Sequence, residues 1–263
     1  MEWSKVKTIL IVLLAVVNLL LGLNIAGQIS AQRREETAAL QSALTLLRKA
    51  GMQFDEQLFF DMPRAPAVLT GARSAAREGA VADALLGSHT VEEAGGGISI
   101  YTSRAGRVVF RSGGFFEAEL NDGTTAGRLL DAVLKSSAVR GVSAQTAESD
   151  GAASAQLLVD GCPVAGAGLE CRDTELGASA SGRWYFGEEP QNAADTASRA
   201  EMAVALLGLE HEGLLEITGL RMVYGQEAAL SGIRFVPLWQ IDTKNGQILL
   251  SSATRREEMI EQK

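Results

Sequence analysis

The feature that most constrains this chain is an apolar run near its amino-terminal end. Residues 9–25 carry no charge, and Asn18 and Asn24 are their only polar side chains. With its flanks the run is long enough to cross a bilayer, since about 20 residues of helix span the hydrocarbon core. A lone span must satisfy its own backbone hydrogen bonds, so a helix is the expected state. We predict that residues 1–27 form a cytoplasmic amino terminus and a transmembrane anchor.

A cleavable signal peptide is the alternative to this anchor. Signal peptides have an apolar centre of about 7 to 15 residues followed by a small-x-small site. Here the run is longer, and the best cleavage candidate, residues 29–31, is poor. Lys5 and Lys7 precede the run, which places the amino terminus in the cytoplasm by the positive-inside rule. The pattern therefore favours a single-pass protein of the cell membrane with an extracytoplasmic carboxyl-terminal domain.

Charge and histidine content argue against several functions. The formal net charge is -8, whereas a nucleic-acid-binding domain would present a basic face. His89 and His211 are the only histidines, and neither belongs to a metal-binding pattern such as His-x-x-x-His. Gly-x-Ser-x-Gly is absent, and no acid flanked by a histidine suggests a catalytic triad. We expect a protein that is not an enzyme and needs no cofactor, metal or nucleic acid.

Cys162 and Cys171 are the only cysteines. An extracytoplasmic compartment permits a disulfide, and the turn-rich segment between them would let the two lie across a hairpin. A bond closing so small a loop would contribute about 2 to 3 kcal/mol. Two free, buried cysteines are the alternative, and the sequence leaves both open.

A helix is predicted directly after the anchor, over residues 35–50. Its apolar positions recur on one face, acidic residues begin it, basic residues end it, and Gly51 follows. This face would pack either on its own domain or on a partner helix; it comprises Leu40, Ala43, Leu44 and Leu47.

A weakly patterned linker follows, in which the run Gly95, Gly96 and Gly97 is predicted to be a flexible connector. Beyond it, strands and helices alternate. Alternation and turn residues predict strands at 98–101, 108–111, 115–120, 156–159, 168–172 and 183–186. Helical spacing predicts a helix over 124–138 and another after Ser198, where Ser198 and Glu201 form a capping box.

The last strands carry three local signals. The apolar parity changes across Thr218 and Gly219, which predicts a bulge there. Pro237 marks an edge or a bulge in the next strand. Asn245 and Gly246 predict a tight hairpin, because this pair readily adopts left-handed backbone angles.

These signals predict an α+β fold: one transmembrane helix followed by an extracytoplasmic domain of tandem units, each a helix packed on an antiparallel sheet. The predicted division is the anchor at 1–27, a membrane-proximal helix and linker at 28–97, a first α+β unit at 98–190, a second at 191–253 and a charged tail at 254–263.

Three stretches resemble the YycI (WalI) family, accessory membrane proteins of an essential two-component system in Gram-positive bacteria. They are MEWSKVKTILI at 1–11, LRKAGMQFD at 47–55 and VPLWQI at 236–241, and length and layout agree over nearly the whole chain. The resemblance implies two partners, a YycG (WalK)-like sensor histidine kinase and a YycH-like regulator. It also implies that the membrane helix and outer domain adjust kinase activity and cell-wall metabolism.

Small and polar residues offer a contact face within the anchor. Ala15, Asn18 and Gly22 are spaced by three and four positions, and membrane helices associate through small residues and interhelical hydrogen bonds. We expect these residues to face a kinase helix; Asn18 bonding its own backbone or a homodimer mate is the alternative. Two rival functions stay open: an anchored ligand-binding module with a cleft between its sheets, and an envelope or division scaffold without a kinase partner.

Overall fold

A computed structural model gives the architecture of the chain. It describes residues 3–62, 65–194, 198–208, 216–229, 232–244 and 246–251, and before Arg34 it describes only some of the side chains. His211, Asn245 and the predicted tail at 254–263 lie outside the described residues.

Five helices and fourteen strands make up the described chain. The helices are α1 (Trp3–Lys49), α2 (Glu56–Asp61), α3 (Ala75–Leu86), α4 (Ala126–Ser136) and α5 (Arg199–Leu207). The strands are β1 (Gln53–Phe54), β2 (Val68–Ala72), β3 (Thr90–Gly95), β4 (Ile98–Thr102), β5 (Gly106–Arg111), β6 (Phe115–Leu120), β7 (Val142–Ser149), β8 (Ala152–Val159), β9 (Cys162–Asp173), β10 (Ala178–Arg183), β11 (Gln191–Ala194), β12 (Glu216–Ala229), β13 (Gly232–Thr243) and β14 (Gly246–Ser251).

The strands form one curled, mostly antiparallel sheet, so the fold is α+β. One part runs β3-β4-β5-β6-β10-β9-β8-β7 and is antiparallel throughout. The other runs β11-β2-β13-β12, with β14 added to β13 and β1 to β12. The two parts meet where β12 pairs in parallel with β9, at Tyr224 and Val164.

Two clusters of buried side chains fill the fold. The first, here called the sheet core, packs α3 and α4 against the eight-stranded part and includes the aromatic side chains Phe110, Phe116 and Phe186. The second, here called the helix core, joins the end of α1, α2 and α5 to β12, β13 and β14. Trp239 and Phe59 are its largest fully buried members.

The carboxyl-terminal part of α1 belongs to the helix core. Leu40, Ala43, Leu44 and Leu47 are between 0 and 3 % exposed. The face predicted from spacing is therefore buried on its own domain, and α5 is its main helical neighbour. Among the described residues, none of the helices combines the length and the apolar character needed to cross a bilayer. The anchor at 1–27 stays a prediction.

Several local predictions are confirmed. β4, β5, β6 and α4 lie where the pattern placed them. Ser198 and Glu201 form both bonds of the capping box on α5. The register of β12 against β13 shifts between Ile217 and Gly219, so the bulge is present. β13 and β14 form the predicted hairpin.

Pro237 lies within β13, opposite Tyr224 of β12. Among the described residues, β2 pairs with β13 up to Phe235 and β14 pairs with it from Leu238. The edge or bulge predicted at Pro237 therefore falls between these two described pairings, and a proline is best accommodated where a ladder ends because it has no N–H to donate.

Two predictions about strands and linkers were wrong. The strand expected at 183–186 lies earlier, as β10 at Ala178–Arg183. Its residues are small, so they give little apolar signal. The aromatic residues that follow Arg183 lie in the sheet core and are not part of the strand. Gly96 and Gly97 are not a flexible connector. They are the two-residue turn of the β3–β4 hairpin, with φ of +61° and +75°, angles that favour glycine.

Candidate functional site

A cleft opens between the eight-stranded part of the sheet and the end of the β12–β13 hairpin. Its volume is about 360 Å³, within the range of small-ligand sites. Three turns form its rim: the β3–β4 turn at Gly96 and Gly97, the 3-10 turn Ser112–Gly114, and the end of the β12–β13 hairpin at Ala229 and Gly232. The cleft therefore lies between the eight-stranded part and the β12–β13 pair.

The floor of the cleft is aromatic. Phe110, Tyr185 and Phe186 line it together with Ile233. The rings of Phe110 and Phe186 meet edge to face at 4.8 Å, and Tyr185 packs in the same manner on Phe235 at 5.3 Å. Such pairs are worth about 0.5–1.5 kcal/mol beyond the area they bury. The floor is thus a rigid apolar surface, continuous with the sheet core.

One wall of the cleft carries an ion pair in which the carboxylate is buried and the guanidinium is partly exposed. Arg73 follows β2, and Glu78 lies in the first turn of α3 with only 2 % of its surface exposed. The Arg73 Nε and one Nη2–H donate to the two carboxylate oxygens of Glu78, in the forked geometry that makes such pairs strong. These bonds raise the pKa of Arg73 above its ordinary value, against the lowering effect of burial. Arg73 therefore stays charged.

The same guanidinium ties the β3–β4 hairpin to the wall. Its Nη1 donates to the carbonyl oxygen of Gly97, and its Nη2 donates to the Ser99 hydroxyl at 3.1 Å. Ser99 in turn donates to the carboxylate of Glu93 at 3.2 Å. One charged side chain thus fixes α3, β2 and the hairpin turn relative to one another.

The 3-10 turn forms the opposite side of the cleft and joins the two parts of the sheet. The carbonyl oxygen of Gly113 accepts from the Gln226 Nε2 of β12 at 3.1 Å, and that of Gly114 accepts from the backbone N–H of Trp184 at 2.8 Å. Gly114 has a φ of +79°, and a Cβ there would lie 2.5 Å from the Trp184 carbonyl oxygen. Only glycine fits this contact.

The predicted membrane contact residues lie in the first half of α1. Ala15, Asn18 and Gly22 belong to this helix at spacings of three and four, so they share a face. The side chain of Asn18 is exposed, whereas those of Ala15 and Gly22 lie outside the description.

The predicted hairpin between the cysteines was wrong. Cys162 and Cys171 lie on the same strand, β9, nine residues apart, and both are free thiols. Extended backbone of that length spans about 30 Å, whereas a disulfide needs Cα atoms about 4.4–6.8 Å apart. The turn lies earlier, at Asp160 and Gly161 between β8 and β9. Burial raises the pKa of Cys171 to about 11 and also raises the pKa of Cys162, so both thiols stay protonated.

Within the described ranges, no three His, Cys, Asp or Glu side chains lie close enough together to hold a metal ion. His89 lies at the end of α3, where its Nδ1 is 2.8 Å from the Gly87 carbonyl oxygen and its ring packs edge-on against Tyr101. This histidine therefore has a local structural role in capping the turn after α3.

Sequence reasoning did not identify the residues of the cleft. Arg73, Arg111 and Ala229 come from distant parts of the chain and meet only because β2 pairs with β13. The Arg-Ser-Gly-Gly stretch at 111–114 was a usable signal, since two adjacent glycines between strands indicate left-handed turn angles close to other backbone.

No family model matches the sequence, and no curated protein matches it at a significant level. The resemblance to the YycI family therefore stands on the three stretches quoted above.

Proposed function

We propose that this chain is a membrane-anchored regulator of a two-component sensor histidine kinase. In this proposal residues 1–27 are a single-pass anchor with a cytoplasmic amino terminus, and the tandem α+β units lie outside the membrane. The partners are a YycG (WalK)-like kinase and a YycH-like regulator, which the amino-terminal resemblance implies. The output is an adjustment of signalling related to the cell wall.

The observation that carries the proposal is the continuity of α1. The helix runs unbroken over 47 residues from Trp3 to Lys49, a length of about 70 Å. It therefore joins the uncharged run at 9–25 to the helix core without a hinge. A rotation of the outer domain about the helix axis, or a shift along that axis, would be passed on to the first half of the helix.

The stalk between these two regions is long enough to act as a lever. Residues 26–39 rise about 21 Å at helical geometry, and the described side chains of this segment, including Ala31 and Thr37, are mostly exposed. The buried face of the helix begins at Leu40. The stalk thus links the uncharged run to the domain as part of one continuous helix.

Contact with the kinase is proposed for the face of Ala15, Asn18 and Gly22. Small residues let helix backbones approach, and an amide in hydrocarbon gains an interhelical hydrogen bond worth about 0.6–2 kcal/mol. Asn18 is exposed on α1, as a contact residue must be.

The first test replaces Asn18 by Leu and measures co-purification of full-length protein with the kinase. Loss of one such hydrogen bond predicts a weakening of roughly 3- to 30-fold. Asn24→Leu is the matched control, because residue 24 lies about 120° around the helix from residue 18. Unchanged association and unchanged signalling in Asn18→Leu would reject the proposed helix contact.

The second test breaks the lever and leaves both of its ends intact. Ala38 is exposed in the stalk, and Ala38→Pro removes a helical hydrogen bond and kinks the helix. We expect the kinase to co-purify as before while signalling output is lost, and Ala38→Gln to behave as wild type. Normal output from Ala38→Pro would exclude mechanical coupling.

Crosslinking in membranes distinguishes the regulator from a structural scaffold. Recovery of envelope proteins and no kinase would favour the scaffold.

A further inference from the structure

The edges of the sheet differ in how well they are protected against pairing with another strand. An open edge presents unpaired N–H and C=O groups, and natural proteins protect it with charges, bulges or short length. β3 carries Glu92 and Glu93 and has a register shift before Gly95. β11 has only four residues and a register shift of its own. These two edges are therefore protected in the usual ways.

β7 is an edge without such protection. It has eight residues, which makes it the longest of the edge strands, and among the described strands it pairs only with β8. Its register against β8 shows no shift, it contains no proline or basic residue, and Glu148 is its only charged side chain. Six of its eight residues are exposed. β7 therefore offers a regular row of backbone donors and acceptors to a further strand.

We propose that β7 pairs in antiparallel fashion with β7 of a second copy of this chain, across a two-fold axis. Residues that face each other in an antiparallel pair lie on the same side of the sheet, and successive residues lie on opposite sides. The axis must therefore pass through one residue. Gln145 lies next to the middle of β7, and an axis there pairs residues 142–148 of the two copies.

The charges around β7 favour a second copy as the partner. Arg140 lies just before the strand with 86 % of its side chain exposed, and Glu148 near the end of the strand is exposed as well. Antiparallel pairing brings the start of one strand to the end of the other, so each Arg140 comes close to the partner's Glu148. The present contact of Arg140 with Glu189, at 3.7 Å, joins two exposed groups and is weak.

The residues between these charges also allow the pairing. Ala144 faces the partner's Thr146, and Gln145 faces the partner's Gln145, so no like charges are opposed although the whole chain carries a formal charge of -8. Two strands meeting edge to edge bury less than the roughly 800 Å² per partner of a standard interface. We therefore expect a reversible dimer, and this inference is independent of the proposed kinase regulation.

Hydrogen exchange of the full-length protein in detergent micelles tests the proposal, at protein concentrations from about 5 to 500 μM. The amides of β7 that face away from β8 should exchange at least about tenfold more slowly at the highest concentration, whereas exchange in β3 should not change. Self-association through residues 1–27 would not produce this local protection. Exchange in β7 that is independent of concentration would overturn the proposal, whether the amides stay open or are covered by another segment of the same chain.

Charge substitutions at the proposed axis locate the contact. Gln145 is exposed, so Gln145→Lys and Gln145→Glu keep the fold, and each places two like charges opposite each other. Each variant alone should lose the concentration-dependent protection, and an equal mixture of the two should regain it. Val91→Lys adds the same charge at a 52 % exposed position of β3 and should behave as wild type. Full protection in Gln145→Lys alone, or none in the mixture, would reject the two-fold pairing.

Discussion

The sheet core and the helix core differ in how far apart in sequence their residues lie. Most of the sheet core comes from residues 69–186, in which neighbouring strands are often consecutive in the chain. The helix core joins residues 40–62 to residues 202–250, so it closes the two ends of the domain on each other. Loop closure over such distances has an entropic cost before any contact forms. The helix core is therefore the part that depends most on each of its contacts.

This difference has a functional side. The helix core packs against the carboxyl-terminal part of α1, whereas the sheet core provides the floor of the cleft. The β12–β13 pair belongs to both, since Tyr224 and Phe235 lie in the sheet core and Met222 and Trp239 in the helix core. The cleft and the buried part of α1 are thus connected through one pair of strands.

The largest predicted effect comes from Leu44→Ala. Leu44 is 1 % exposed in the helix core, and a buried Leu→Ala change destabilises by about 3–4 kcal/mol. Leu46→Ala is the control, because Leu46 lies on the same helix and is 47 % exposed. Hydrogen exchange of the full-length protein in micelles should show faster exchange in α5 and β14, while β4, β5 and β6 stay protected. Equal acceleration in both cores would contradict their separation.

Alkaline pH is predicted to act on the sheet core. All three tyrosines of the chain, Tyr101, Tyr185 and Tyr224, belong to it. Burial raises the pKa of Tyr185 to about 12, and burial also raises the pKa of the other two. Below pH 10 the phenol is protonated in both states and the stability is complete. Between about pH 10 and 12 the unfolded chain ionises first, so Tyr185 alone lowers stability by roughly 2–3 kcal/mol.

Urea unfolding across this pH range checks the prediction. Tyr185→Phe should reduce the fall in stability above pH 10, because one of the three phenols that ionise is removed. Exchange in β5 and β6 should accelerate before exchange in α5 does. A fall of the same size in Tyr185→Phe would exclude Tyr185 as its cause.

Patterns of large apolar residues decided which elements could be predicted from the sequence. The buried face of α1 at Leu40 and Leu44 follows from helical spacing, and β6 alternates buried and exposed residues along its whole length. β7 is almost wholly exposed, so it shows no alternation. β10 buries only alanines on its inner face, too small to give a signal.

The site was less predictable than the fold for a physical reason. The cleft depends on which distant strands pair, and the pairing of β2 with β13 joins residues more than 150 positions apart. No local preference of Arg73 or Ala229 encodes that pairing. The carboxylate of Glu78 on α3 is buried beside Arg73, which follows β2. The position of Arg73 therefore depends on the same pairing of β2 with β13.

The smallest predicted effect concerns the amino termini of two helices. In the helix core, the Ser198 hydroxyl accepts from the Glu201 N–H at the start of α5, and Glu201 returns the bond. In the sheet core, α4 has no side-chain bond from its own cap residue, Thr125; the Asp173 carboxylate of β9 accepts from the Ala126 N–H instead. Ser198→Ala should therefore lower stability by about 1 kcal/mol, whereas Thr125→Ala should change it by less than about 0.5 kcal/mol.

Urea unfolding of the two variants and of Ser198→Thr, which keeps the hydroxyl, measures this difference. Ser198→Thr should retain most of the stability, since threonine also caps helices. α5 has only nine residues and packs on α1. Loss of its cap should therefore destabilise α5 and also weaken its packing against the buried face of α1. Faster exchange at 40–47 in Ser198→Ala would show that coupling. Equal losses of stability in Ser198→Ala and Thr125→Ala would instead mean that local caps contribute equally to both cores. The helix core would then depend on its individual contacts no more than the sheet core does.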